Sequence, residues 1–358
     1  MNISILVTGC GGGGVGEQIL KAVSMANGKR YYNIISTDTT NFCKAKFFGS
    51  DRFVKLPLAN DISYIDRLLK ICAIFKINAI FPGSEPEIKV LSKNRDLFKN
   101  IFLGINSDNV LNICFDKFKT NSFLRDNNFS YPKTELFKAI EDYENIQTSI
   151  DFPVIIKPYI GGRGSQNVFI AQNQKELNLM VDYIKLYENN VIVQEYIGTP
   201  DNEYTVGVLT SKTGDIINSI AVKRKIIGMS GKIKVKNITG RKDLGEYLVI
   251  SSGISQGEIG RFQEVTRQCE EITEALGSIG PLNIQCRLVD NKVYPFEINP
   301  RLSGTTSLRA MVSYNEPDIL LQEYFYGKLP KNHFEYISGN ILRGLNEIFA
   351  IKEDCLDE

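Results

Sequence analysis

Histidine is nearly missing from this chain of 358 residues: the one imidazole is His333, flanked by Asn332 and Phe334. A Ser-His-Asp triad, a His-ligated metal or a His general base is therefore excluded unless His333 itself serves. Paired cysteines are missing too. The seven thiols (Cys10, Cys43, Cys72, Cys114, Cys269, Cys286 and Cys355) contain no C-x-x-C spacing. That scatter fits free thiols in a reducing compartment better than disulfides or a zinc site. No apolar run is long enough to span a bilayer, and no basic segment precedes the apolar N-terminal run, which stops at a glycine cluster. A cytoplasmic location is expected. The formal net charge of +1 gives no general attraction to nucleic acid or to an anionic membrane. Internal repeats and low-complexity tracts are also absent.

What is present is an ordinary globular composition, 43% hydrophobic and 23% charged, in a chain long enough for two or three domains. Residues 3–8 read as a buried strand, followed by the glycine cluster Gly9–Gly16 with Cys10 and Val15 inside it. A helical pattern then runs through Ile19, Leu20 and Val23, and a second strand covers residues 33–38. A helix around Tyr64–Phe75 and a strand at 79–82 extend this into a doubly wound α/β domain. Residues 116–128 read as helix, 152–158 and 168–170 as strands, and 174–187 as helix. Longer strands follow at 191–197, 204–209 and 216–225, forming an antiparallel sheet with a helix near 259–276 inserted. Lys223–Arg241, rich in basic residues and glycine, reads as a mobile loop.

Two segments in the last third carry the most chemistry. Leu282, Ile284, Cys286 and Leu288 alternate with Asn283, Gln285 and Arg287. Tyr294, Phe296 and Ile298 alternate with Glu297, Asn299 and Arg301. Each has the period-two pattern of a strand with one buried face. A three-residue loop, Asp290-Asn291-Lys292, sets Val289 opposite Val293 and Gln285 opposite Glu297. The polar face of this hairpin offers a carboxylate, amide oxygens and two guanidiniums, a set suited to Mg²⁺ on a polyphosphate.

Other motifs are weaker alone. Gly11, Gly13 and Gly16 form G-x-G-x-x-G, with Asp38 at about the distance of a ribose-binding acid; the alternatives are dinucleotide binding and plain helix–strand packing. Lys157 ends an apolar strand and runs into Gly161-Gly162-Arg163-Gly164-Ser165, a phosphate cradle or an ordinary hairpin turn. Gln194-Glu195-Tyr196-Ile197 ends a strand ahead of Glu203. Such an edge can read adenine through backbone groups and ribose through the acid, or be a simple sheet edge.

Taken in order, Asp116-Lys117, Lys157-Pro158, Gly161–Gly164, Gln194–Ile197, Glu203, Gln285 and Glu297-Ile298-Asn299-Pro300-Arg301 resemble the ATP-grasp superfamily. The branch most similar is that of the synthetase domains of the carbamoyl phosphate synthase large subunit, over about residues 1–325. The resemblance implies mixed α/β and α+β architecture, an ATP-grasp fold with an N-terminal Rossmann-like pre-ATP-grasp domain. Its expected divisions are 1–112 for that domain, 113–190 for the small lid subdomain, 191–330 for the antiparallel-sheet subdomain with the metal site, and 331–358 for a C-terminal extension.

The resemblance further implies that Lys117 and Lys157 contact ATP phosphates beneath a lid of Gly162, Gly164 and Ser165. Gln194, Glu195, Tyr196 and Ile197 would form the adenine edge, and Glu203 would hold the ribose. Gln285 and Glu297 would hold one Mg²⁺, Glu297 and Asn299 a second, with Mn²⁺ as a substitute. Arg301 would stabilise the transferred phosphoryl group, helped by Lys223 or Arg224. The implied activity is ATP-dependent joining of a carboxylate to an amine or ammonia through an acyl phosphate, releasing ADP and phosphate. The partners are then small molecules, neither nucleic acid nor membrane, and a homodimer is compatible. A carbamoyl-phosphate-synthase-like phosphorylation of a carboxylate is the near alternative, although this chain holds one synthetase half and no glutaminase-like Cys/His pair. An NAD(P)-dependent oxidoreductase and a catalytically silent nucleotide-binding regulator are the alternatives from other classes. Pro82–Glu87 and Ser303–Ser307 are open to a role in holding the substrate or to simple capping.

Overall fold

In a computed structural model, which describes residues 2–27, 31–138, 147–159, 167–351 and 354, the chain builds three main sheets. The expected lid residues Gly162, Gly164 and Ser165 lie outside the described residues.

The first sheet holds β1 (Ile3–Val7), β2 (Tyr32–Asp38), β3 (Arg52–Lys55), β4 (Ala79–Phe81) and β5 (Phe102–Leu103), all parallel, in the order β3-β2-β1-β4-β5. Helices α1 (Val15–Asn27), α2 (Tyr64–Phe75) and α3 (Glu85–Lys93) connect these strands. The α1 helix forms because Ile19, Leu20, Val23 and Ala26 recur at helical spacing and are buried. Its entry explains the glycine fingerprint. A Cβ on Gly16 would sit 2.3 Å from the carbonyl oxygens of Thr8 and Gly9, so only glycine lets α1 meet β1. Asp38, the expected ribose acid, instead accepts the Gly11 backbone N–H at 2.6 Å.

Two short helices lead out of this unit, α4 (Asp108–Cys114) and α5 (Lys117–Asp126). Asp116 caps α5, accepting from the N–H groups of Phe118 and Lys119 at 3.0 and 2.9 Å. That cap fixes Lys117 as the first helical residue.

The second sheet is antiparallel: β6 (Thr134–Lys138), β7 (Val154–Pro158), β8 (Phe169–Ala171) and β9 (Asn190–Glu195), in the order β6-β9-β7-β8. Helix α6 (Gln174–Lys185) covers one face with Leu177, Val181 and Ile184. Because β9 pairs with β6 and β7, this sheet ends after Glu195. The expected division at residue 190 cuts through it, since the apolar run that suggested the later sheet is also what a central strand requires.

The third sheet is antiparallel and runs β16-β15-β10-β11-β14-β17. Its first strands are β10 (Glu203–Thr210) and β11 (Ile216–Arg224). A separate ribbon follows, β12 (Gly231–Lys236) with β13 (Tyr247–Ser251). The basic stretch expected to be a loop thus contains a strand, anchored by Ile233 and Val235 against Tyr196 and Leu248. Next come β14 (Gly257–Gly260), α7 (Gln263–Leu276), β15 (Pro281–Val289) and β16 (Lys292–Asn299). The expected helix near 259 therefore starts later, because Ile259 belongs to β14. Val265, Cys269, Ile272 and Leu276 of α7 pack beneath Val206, Ile284 and Ile298. Each such buried aliphatic side chain contributes roughly 1.5–3 kcal/mol.

Helices α8 (Thr306–Met311) and α9 (Glu316–Tyr326) then return to α1, and β17 (Gly339–Ile341) closes the sheet edge against β14. One core joins Val7, Leu20 and Val23 to Val222, Leu308, Leu320 and Ile341. Residues 339–341 are thus part of the third sheet.

Candidate active site

The β15–β16 hairpin sets the chemistry. Its turn is two residues, Asp290 and Asn291, both with positive φ (47° and 58°). This differs from the expected three-residue loop. Val289 pairs with Lys292 and Leu288 with Val293. A bulge between Gln285 and Cys286 restores the expected pairing of Gln285 with Glu297. The extra residue is Phe296, next to Pro295, which has no N–H for the ladder. The bulge also switches faces. Val293, Pro295 and Ile298 are buried on the core side, while Tyr294 and Phe296, expected there, line the cleft above.

Beyond the bulge the polar side chains form a connected row. Glu297 accepts from Gln285 Nε2 through Oε2 and from Asn299 Nδ2 through Oε1, each at 3.0 Å. Asn299 Oδ1 accepts from Arg301 Nη2 at 3.1 Å. Turning the two amides presents their oxygens beside Glu297. One carboxylate with two amide oxygens fits Mg²⁺ that completes its shell with phosphate oxygens and water. Among the described residues no group of three or more His, Cys, Asp or Glu could cage a metal alone.

Two lysines face this row. Lys157 ends β7 and is 6% exposed. Its Nζ donates to Gln194 Oε1 at 2.7 Å and to the carbonyl of bulged Phe296 at 3.4 Å. Burial pulls its pKa from 10.5 down to about 7; the Lys117 charge adds to the fall and Glu297 opposes it. Burial also lowers Lys117, again opposed first by Glu297. Two crowded ammonium groups disfavour each other unless an anion joins them. Gln194 positions Lys157 and is itself held by Thr134, to whose Oγ1 it donates at 2.9 Å.

The other end is a buried charge cluster. The register of β10 and β15 sets Glu203 opposite Arg287. Glu203 accepts from Arg224 Nη1 at 3.0 Å and from Arg287 Nη2 at 3.1 Å. Arg287 also lies 4.6 Å from the centre of the Tyr196 ring and donates to the Ile197 carbonyl at 2.9 Å. Tyr196 Oη in turn accepts from the Val249 N–H at 2.8 Å. Glu195 is braced from the other side: its N–H donates to the Lys133 carbonyl at 2.8 Å, and its Oε2 accepts the Lys133 N–H at 3.1 Å. The segment 195–197 is therefore a fixed edge.

Lys117, Lys157, Gln194, Glu195, Tyr196, Ile197, Glu203, Arg224, Gln285, Glu297, Asn299 and Arg301 line one cleft of about 500 Å³ between the second and third sheets. Lys223 does not line it: its Nζ lies over the Tyr204 ring, 5.9 Å from the centroid, with Tyr204 itself in the core beneath the sheet. Strand alternation therefore puts Arg224 on the cleft side, but in the ion cluster with Glu203 rather than as a loose phosphate contact. Sequence reasoning assigned no role to Arg287, although its alternation with Gln285 already placed it on the polar face. It missed Ser251–Ser255 and Arg343, which no motif marks. Of the two segments left open, Ser84 caps α3, accepting from the Glu87 N–H. Ser303, Thr305 and Thr306 are hydrogen-bonded in the turn into α8. Gly83–Glu85 and Ser303–Thr305 also line the cleft, at its end near Gly13 and Gly14.

Comparison with known proteins identifies the family and the fold. Residues 114–305 match the model of an ATP-grasp domain, and residues 5–105 match the PylC-like N-terminal domain. The chain belongs to the ATP-grasp family. It is 26% identical over 259 residues to the carbamoyl phosphate synthase large chain of Helicobacter pylori strain J99, covering 68% of this chain and 22% of that protein. The chain thus spans about a fifth of the length of that relative. In fold it is similar to N5-carboxyaminoimidazole synthetase from Staphylococcus aureus complexed with ADP, with TM-score 0.65, 14% identity and coverage of 92% and 80%. It is also similar to the L-amino acid ligase from Bacillus licheniformis, with TM-score 0.60, 18% identity and coverage of 90% and 74%. Among the described residues no helix is long and apolar enough to cross a membrane.

Proposed function

We propose that this chain is an ATP-dependent ligase that joins a carboxylate to an amine or ammonia through an acyl phosphate, with release of ADP and phosphate. One observation carries the reading: the row Gln285–Glu297–Asn299–Arg301 faces the paired ammonium groups of Lys157 and Lys117 across one cleft.

In this reading adenine lies along the braced edge at Glu195–Ile197, with the ribose toward Glu203. Glu203 Oε2 already accepts from both Nε and Nη2 of Arg287, whereas Oε1 accepts from Arg224 and has a further lone pair for a hydroxyl. Lys157 and Lys117 hold phosphate oxygens. Gln285, Glu297 and Asn299 would hold Mg²⁺, as one ion or two, and bound Mg²⁺ supplies charge neutralisation on the phosphates. Arg301 then faces the transferred phosphoryl group. The substrate carboxylate attacks that phosphorus as its bond to the ADP oxygen breaks and ADP leaves; the amine next attacks the acyl carbon, expels phosphate and loses a proton to water. Such transfer needs positioning and charge more than covalent help, consistent with a cleft without histidine.

The test is phosphate release from ATP across pairs of small acids and amines. Release that requires an acid supports the ligase. Release with bicarbonate alone supports the carbamoyl-phosphate-synthase-like alternative, which the curated relative favours. Tight NAD(P)H binding without ATP binding would overturn both. The bond from Gly11 to Asp38 already engages the acid that a dinucleotide's ribose would need.

A further inference from the structure

Arg343 lies outside both matched regions, in the segment after β17. Its N–H donates to Gln256 Oε1 at 3.4 Å, and its Nη1 donates to the Gly304 carbonyl at 3.1 Å. The guanidinium is half-buried and lines the cleft. The acid that most offsets its burial is Glu17, which is itself paired with Lys21 at 2.6 Å. Among the described residues no carboxylate forms an ion pair with Arg343. A half-buried cation without a counterion is costly, and a bound anion would relieve that cost.

Arg301 shares the same turn. Its Nη1 donates to the Leu302 carbonyl at 2.8 Å, two residues before Gly304. Two residues of chain span at most about 7 Å, so the two guanidiniums are anchored close enough to serve one small molecule. Arg301 is tied to Asn299 in the metal row, whereas Arg343 has no bond to that row or to the lysines. Gly13, Gly14 and Val15, at the N-terminus of the 13-residue α1, line the same end and add partial positive charge.

We propose that Arg343 binds a second anionic group on the acid substrate, so that this enzyme activates a short dicarboxylate. One carboxylate is phosphorylated beside Arg301 while the other is held by Arg343. The proposal rests on the ligase reading and adds the substrate class.

The acyl phosphate can be trapped with hydroxylamine. Its nitrogen forms a bond to the acyl carbon, the carbon–oxygen bond to phosphate breaks, phosphate leaves and a proton passes to water. Hydroxamate is measured with Mg-ATP and succinate or glutarate, against butyrate or valerate. The wild type should favour the diacids in kcat/KM by at least tenfold. R343Q should raise KM for the diacid by about 10- to 100-fold, the range of a lost charge-assisted contact, while KM for ATP stays within twofold. R343K should recover part of the loss. Equal use of diacids and monoacids, or an unchanged diacid KM in R343Q, would overturn the proposal. Absence of hydroxamate from every acid would instead count against the ligase reading. Thermal shift with Mg-ADP then judges Arg343 separately: succinate or glutarate must stabilise the wild type and not R343Q, and failure to do so refutes the site.

Discussion

Lys157 should take up a proton when nucleotide binds. With a pKa of about 7 in the free protein, about nine in ten Lys157 side chains are neutral at pH 8. A phosphate charge at about 4 Å and an effective dielectric constant of about 20 contributes roughly 4 kcal/mol, or about three pKa units. That restores the ordinary lysine range. Binding of Mg-ADP, or of a non-hydrolysable Mg-ATP analogue, should therefore take up about 0.9 proton at pH 8, about 0.5 at pH 7 and about 0.1 at pH 6. Titration calorimetry in buffers of different ionisation enthalpy reads this directly, and affinity should fall about fivefold from pH 7 to 8 and somewhat more steeply from 8 to 9. The sign for stability is opposite. The unfolded chain holds this proton to about pH 10.5, so the free protein gains stability as pH rises from 7 toward 10. K157M should abolish the uptake and weaken nucleotide binding. Uptake that does not vary with pH, or that persists in K157M, would refute the placement of the phosphates at Lys157.

Three further outcomes follow from the same contacts. E297Q should lower turnover by about 10²- to 10³-fold while thermal melting changes little, because Glu297 is exposed and its fold role is small; near-normal turnover would remove it from the metal row. E203Q leaves Arg224 and Arg287 buried without full compensation and should cost about 3–5 kcal/mol in urea denaturation. G16A forces a Cβ against two carbonyl oxygens and should cost about 1–3 kcal/mol, again by denaturation; a neutral result would show that α1 can shift away from β1.

The polar row was legible because a hairpin encodes it twice, in the alternation of 283–287 and of 297–301. The turn was not, because a two-residue turn with a bulge and a three-residue loop give the same pairing at Gln285 and Glu297. Pro295 was the available sign, a residue that cannot donate to its neighbour strand. The helix at 116–128 was legible from its pattern, and the structure adds that Asp116 is its cap. The Glu203 cluster was not, since its partners come from strands 21 and 84 residues away and meet only through sheet pairing. Ile259 misled because an apolar residue before a helix also suits the strand that precedes it. Arg343 carries no periodic signal, as β17 is three residues long and earns its place by pairing with β14.

The shared core has a consequence for synthesis on the ribosome. Tyr32 in β2 donates to Asp318 at 2.5 Å, Ser307 donates to Gln18 at 2.6 Å, and Asn315 donates to the Ala22 carbonyl at 2.8 Å. The first sheet to emerge must therefore wait, with the outer face of α1 uncovered, until some three hundred residues later α8 and α9 arrive. Strand β17 follows them, and Arg343 comes after that. An unfinished chain would hold the adenine edge and the metal row without the far wall of the cleft. The order of translation thereby delays a complete site until nearly all the described chain has been made.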